Sequence, residues 1–209
     1  MLNGYVHRYF HLLKNDLFEM YFLLAFRALG FSMIGIFLPL FLYVELGYGL
    51  REVILFYGLM TIAFALSGVA ALKVVSKFGV RHSMIYSYFF LIASFVMLIF
   101  LKDYSSLLFY IAFIQGFSFG LFWIGFHVDF ALHAHKKNIG KQSGILSFSS
   151  IIGAVTGPML GALLIKYFGF NIMFSVALSL FIISFLPLLF SKDEYPKTSF
   201  NLKKYFKKE

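Results

Sequence analysis

No cysteine occurs in the 209 residues, and charged side chains make up only 13% of them. The first absence excludes disulfides, thiol nucleophiles and Cys-ligated metals. The second excludes an ordinary water-soluble domain, in which about 25% of residues are charged. A signal-peptide pattern is also missing from residues 1–16: no apolar core leads to a cleavage site, and the apolar run that follows is too long to be one. With Tyr5, Tyr9, Phe10, Leu12 and Leu13 set among His and Lys, this segment reads as a short interfacial helix.

What is present is apolar. Hydrophobic residues reach 61%, the mean hydropathy is +0.86, and the excess is gathered into runs. A helix needs about 20 apolar residues to cross a hydrocarbon core of about 30 Å. Six runs meet that length, at about 17–44, 52–75, 83–101, 105–131, 143–168 and 171–190. The expected fold is an all-α membrane protein with a six-helix bundle over 17–190. It is flanked by the segment 1–16 and a basic tail over 191–209.

The net charge of +9 follows the same plan. Arg8, Lys14, Lys73, Lys77, Arg81, Lys136, Lys137, Lys141 and the tail residues Lys192, Lys197, Lys203, Lys204, Lys207 and Lys208 all fall on one side of a six-span topology. Only Arg51, Lys102 and Lys166 fall on the other, and Arg27 lies inside the first run. By the positive-inside rule both ends are expected in the cytoplasm of a cell-membrane protein. The basic excess then serves orientation and contact with anionic lipid, and no nucleic-acid partner is expected.

Two internal regularities stand out. Ala71-Leu-Lys-Val-Val-Ser-Lys-Phe-Gly79 closes the second run and Ala162-Leu-Leu-Ile-Lys-Tyr-Phe-Gly169 closes the fifth, on opposite membrane faces. This is the pattern of an inverted repeat of three helices and three helices. In the fifth run Ser143, Ser147, Ser150, Ala154, Gly157 and Gly161 recur at helical spacing, and Gly153, Gly157 and Gly161 form a doubled GxxxG; in the second, Gly58, Thr61, Ala65 and Gly68 do the same. Such stripes let helix backbones approach closely. They serve either general packing or a sliding interface with a partner half.

Lys77-Phe-Gly79-Val-Arg81-His resembles the end of the loop motif of major facilitator superfamily (MFS) transporters, although Ser76 stands where that motif has an acid and Leu72 where it opens with Gly. Gly153-Ala-Val-Thr-Gly157-Pro158-Met-Leu-Gly161 is similar to the Gly-Pro motif of the family's fifth helix, with Ala162 in place of the last Gly. Gln115-Gly116 and Gly140-Lys-Gln-Ser-Gly144 fit the same layout. The resemblance covers about 17–190 and implies an amino-terminal six-helix half. It also implies a small solute as cargo and a second six-helix half, from a longer chain or from a second copy.

Ionisable groups inside a membrane cost about 2.5–3.5 kcal/mol each and need a reason. Arg27 and Asp129 are the two, and either they snorkel to the cytoplasmic interface or they face each other across a cavity at matching depth. Gln115 and Ser118, on the Asp129 side of the fourth run, are candidates to line that cavity. His127, Asp129, His133 and His135 do not make a metal site, because His127 and Asp129 point to opposite sides of one helix. No metal, other cofactor or enzymatic activity is expected. Two functions remain: a solute transporter working by alternating access, or a membrane-embedded accessory protein that passes no solute. The scarcity of polar residues in the runs favours an apolar or amphipathic cargo over a sugar.

Overall fold

The computed structural model describes residues 16–134 and 136–190. The interfacial helix expected over 1–16, apart from Asp16, the tail over 191–209 and His135 lie outside the described residues. Six helical spans are long and apolar enough to cross a membrane: Leu17–Glu45, Leu50–Phe78, Val80–Ile99, Ser105–His133, Ile139–Phe168 and Phe170–Phe190. The chain is a multi-pass membrane protein, and its described residues form an all-α bundle.

The spans begin and end where the turn chemistry permits. Gly79 at φ +98° and Gly169 at φ +81° each turn the chain through one residue, with extended ψ angles of 168° and 176°. Only glycine adopts that conformation readily. The third span therefore starts at Val80 rather than near residue 83, and Arg81 sits buried in its first helical turn instead of in a loop. In the first span the α-helix runs Asp16–Gly35 and resumes over Phe37–Leu40. Pro39 explains the break, since its ring has no N–H to return to the Gly35 carbonyl. A π-helical turn, Phe41–Glu45, follows, closed by the Leu46 amide donating to the Phe41 carbonyl at 3.0 Å.

The packing carries the inverted repeat. The first span packs most extensively on the fifth, and the second packs on the fourth to the same degree. The third packs on the fourth as the sixth packs on the first, while third and sixth meet each other across the bundle. Exchanging spans one to three with four to six maps each of these interfaces onto another. The two large interfaces use small residues, as helix pairs in lipid do. A Cβ on Gly153 would meet the backbone of Leu29 at 2.6 Å, and one on Gly157 or Gly161 would strike Ser32 or the Met33 backbone. In the mate interface a Cβ on Gly116 would strike the Met60 carbonyl, and one on Gly120 the Ser67 hydroxyl.

The core between these helix pairs is aromatic. Phe31 lies 4.7 Å from Phe181, Phe95 lies 5.0 Å from Phe181, and Tyr88 lies 5.3 Å from Phe185, ring centre to ring centre. Buried serines of the third span make few demands on the apolar interior. Ser87 and Ser94 donate back to the carbonyls of Met84 and Leu91, each at 2.7 Å, and Ser83 reaches the Leu121 carbonyl on the fourth span at 2.8 Å.

Candidate functional site

A cavity of about 470 Å³ opens between the first, second, fourth and fifth spans. Its level in the bundle is set by Phe31 and Phe119, the middle residues of the first and fourth spans, whose rings lie 4.9 Å apart. Arg27 and Gln115 both line the cavity, each one helical turn from that level. Arg27 is displaced by about 6 Å towards the end of the bundle that carries Lys73, Lys77 and Lys137, and Gln115 by about 6 Å the other way. They occupy equivalent places in the two inverted repeats. The remaining wall is mostly apolar, with Leu24, Ile34, Met60, Trp123 and Ile151 among its residues.

Arg27 is 2% exposed, and aromatic rings surround it. Its guanidinium carbon lies 3.6 Å from the centre of the Phe122 ring, 4.8 Å from Phe31, 5.2 Å from Tyr88 and 5.7 Å from Phe119. Tyr88 is held in place by its hydroxyl, which donates to Ser184 Oγ at 2.7 Å, while Ser184 donates to the Phe181 carbonyl at 3.0 Å. A desolvated cation–π contact contributes about 2 kcal/mol, against about 2.5–3.5 kcal/mol for placing an arginine at the centre of a membrane helix. The rings therefore offset most of the insertion cost through the face of the guanidinium. Tyr88 also interacts with it through its hydroxyl, but Nη1 and Nη2 have no hydrogen-bond partner among the described residues.

The sequence pattern described as Major Facilitator Superfamily matches residues 20–206. The chain belongs to this superfamily. A comparison with curated proteins found no match. Superfamily membership makes it a membrane transporter of the MFS kind, and the six spans with their inverted packing are one MFS-type half bundle.

Against this superfamily frame, the residues singled out in the sequence divide. Gln115 lines the cavity, and its Oε1 lacks a hydrogen-bond partner among the described residues. Ser118 is fully buried but lies outside the cavity wall, one turn further along the same helix. The expected pairing of Arg27 with Asp129 is corrected. Arg27 stacks on Phe122, which precedes Asp129 by seven residues, or about 10 Å of helix. Asp129 instead has its Oδ1 3.2 Å from Nδ1 of His133 on its own helix, and it does not line the cavity. Phe122 and Asp129 share a face of the fourth span, but the two charges do not share a depth: Arg27 sits about 6 Å from the middle, and Asp129 about 15 Å. His127 is exposed and stacks on Trp123, their ring centres 5.5 Å apart.

The loop motif holds structure rather than cavity. Gly79 makes the turn, and Arg81 Nη1 approaches Glu19 Oε2 to 3.9 Å, both side chains being almost wholly buried. Glu19 is the buried carboxylate that sequence reasoning passed over. Its signal was present as an acid near the start of an apolar run, but nothing in the sequence tied it to a residue two spans away. The fifth-span motif also works inside the half. Gly153, Gly157 and Gly161 face the first span, and half-buried Pro158 leaves its helix continuous. The stripe expected through Ser147, Ser150 and Ala154 is divided: Ser150 and Ala154 line the cavity, and Ser147 is exposed. In the second span the buried line is Ala63, Ser67 and Ala71, while Gly58, Thr61 and Ala65 face outward.

Proposed function

We propose that this protein moves a small solute across the cell membrane by alternating access, with the cavity between the first, second, fourth and fifth spans as one half of the solute path. The observation that carries the reading is the position of the cavity. It lies at the middle of the bundle, where the two repeats meet, and it presents Arg27 and Gln115 from equivalent places in those repeats. Binding near the bilayer midplane at a repeat interface is how such folds give a solute access from both sides in turn.

The proposal includes a second six-helix half, supplied by further chain or by a second copy, closing over this concave face. The second and fifth spans support it. They flank the cavity and are the least covered in the bundle, with 22% and 17% of their most apolar windows buried, against 50% for the fourth. Both ends of the chain lie in the cytoplasm on this reading, in line with the strong bias of Lys and Arg to one face.

Because the chain has no cysteine, single introduced cysteines test these points without background. A cysteine at Tyr104 is expected to react with an impermeant reagent added outside cells, and one at Asn138 only after permeabilisation. Cysteines at Ile34 and at Leu24, towards opposite ends of the cavity, are each expected to be reactive from one side only, with their reactivities changing in opposite senses when a transported solute is added. Liposomes containing the protein should exchange labelled solute. An accessory protein would show static reactivities and no exchange, and that outcome sinks the proposal.

A further inference from the structure

The cavity can be taken one step further, to the chemistry of what it holds; this step rests on reading the cavity as the solute site. We propose that it binds an amphipathic organic anion, with Arg27 gripping a carboxylate or similarly compact anionic head and the apolar wall holding the tail.

A guanidinium stays charged in proteins and presents its N–H donors in the plane of the group. Phe122 lies against the guanidinium, Phe31, Tyr88 and Phe119 close around it, and Tyr88 also interacts with it through its hydroxyl, yet Nη1 and Nη2 end without hydrogen-bond acceptors among the described residues. Buried donors of this kind are rarely left unsatisfied in a working state. Of the carboxylates that the described bundle buries, Glu19 lies beside Arg81, and Asp129 lies beside His133 and does not line the cavity. Among the described residues, no acidic one lines the cavity. An acceptor for Nη1 and Nη2 then comes from outside the described residues, and their fork fits two oxygens held side by side.

Where Arg27 sits narrows the source. It is ten residues into a span that begins at Leu17, so about 15 Å of helix separates it from that end. A lipid headgroup remains at the interface, whereas a solute in the cavity reaches this level. The wall decides the rest of the molecule. Leu24, Ile34, Met60 and Trp123 offer little to a polyol but suit an alkyl or aryl tail. Oε1 of Gln115, unpartnered among the described residues and on the other side of the midplane, takes a donor from the solute or from a water.

The test uses Trp123, which lines the cavity and is the sole tryptophan of the chain. The full chain in lipid nanodiscs is titrated with three probes of one skeleton: 4-phenylbutyrate, 4-phenylbutanol and 4-phenylbutylammonium. The carboxylate is expected to change Trp123 emission saturably, at a midpoint at least tenfold below that of the alcohol, and the ammonium not to bind. Arg27→Gln should raise the carboxylate midpoint to that of the alcohol, and Arg27→Lys should keep part of the preference. Equal midpoints for carboxylate and alcohol in the unsubstituted protein overturn the inference, so the result does not depend on a variant that folds. So does a preference that survives Arg27→Gln, or the absence of any saturable response to the carboxylate, as would follow if a carboxylate from a second half already filled the fork. Solute exchange by liposomes that favours neutral or cationic compounds would overturn this inference while leaving the transport reading standing.

Discussion

The hydroxyl of Ser32 donates to the backbone carbonyl of Gly153 at 2.6 Å, joining the first span to the fifth where no side chain separates their backbones. The mate contact joins Ser67 of the second span to the Gly120 position of the fourth. In a bilayer lipid tails solvate an apolar helix as well as another helix does, so association rests on close packing and on such bonds.

Substitution of these glycines should therefore do more harm than their small size implies. Gly157→Val and Gly120→Val each force an overpacked interface open, which typically costs about 1–3 kcal/mol and more where backbone must move. Gly144→Ala, which meets nothing within 4 Å, should be neutral or slightly stabilising. Thermal unfolding in detergent reads the difference. Tolerance of valine at both Gly157 and Gly120 would contradict the close approach.

Glu19 and Arg81 form a second testable pair, 3.9 Å apart and buried. Truncating either removes a charge that the other's buried charge faces, and breaking such a buried pair typically costs about 3–5 kcal/mol. Glu19→Leu and Arg81→Leu are each expected to lower the unfolding temperature strongly, and the double substitution to recover much of the loss. A double-mutant cycle measures that coupling. Additive losses would show that the two side chains act separately.

Arg27 should behave in the opposite way. Its stacking offsets about 2 kcal/mol of an insertion cost of about 2.5–3.5 kcal/mol, and no carboxylate within the described half is left stranded by its removal. Arg27→Met should keep or raise thermal stability while abolishing transport. The charge exchange Arg27→Asp with Asp129→Arg should not restore function, because the two residues sit at different depths. Rescue by that exchange would bring back the direct pair that the structure replaces with Asp129 and His133.

The six spans were legible from run length alone, and the inverted repeat from two Gly-terminated segments, because both depend on local chemistry that a sequence displays. Arg27 and Gln115 stood out as polar residues in apolar runs, and both line the cavity. The partners of the charges were not legible. Arg27 and Asp129 were matched by counting from distant polar markers, Glu19 and Lys136, which fixes depth only if both helices start level with the membrane edge. The two markers do not mark one level: Glu19 is buried two residues inside the first span, whereas Lys136 lies beyond the end of the fourth, in the turn Lys136–Asn138 that follows His133. The cage around Arg27 was hidden for another reason. Among 30 phenylalanines, nothing in composition or spacing marks Phe31, Phe119 and Phe122 as converging from two different spans.

The repeat itself makes the last prediction. Gly79 and Gly169 occupy the same place in the two halves of the repeat, each between a Phe that ends one helix and the first residue of the next, and each with positive φ and extended ψ. A side chain at such a position carries about 1–3 kcal/mol of backbone strain. Gly169 meets nothing within 4 Å, so a methyl group there adds strain and no clash. Gly79→Ala and Gly169→Ala should thus lower stability by similar amounts, even though they lie at opposite ends of the bundle. Their effects should add in the double variant, since neither touches the other's partners. If only one position is sensitive, one turn is free to rearrange and the two repeats are not equivalent where their helices reverse. Equal and additive losses, measured by unfolding of the single and double variants, are what an inverted pair of three-helix units requires.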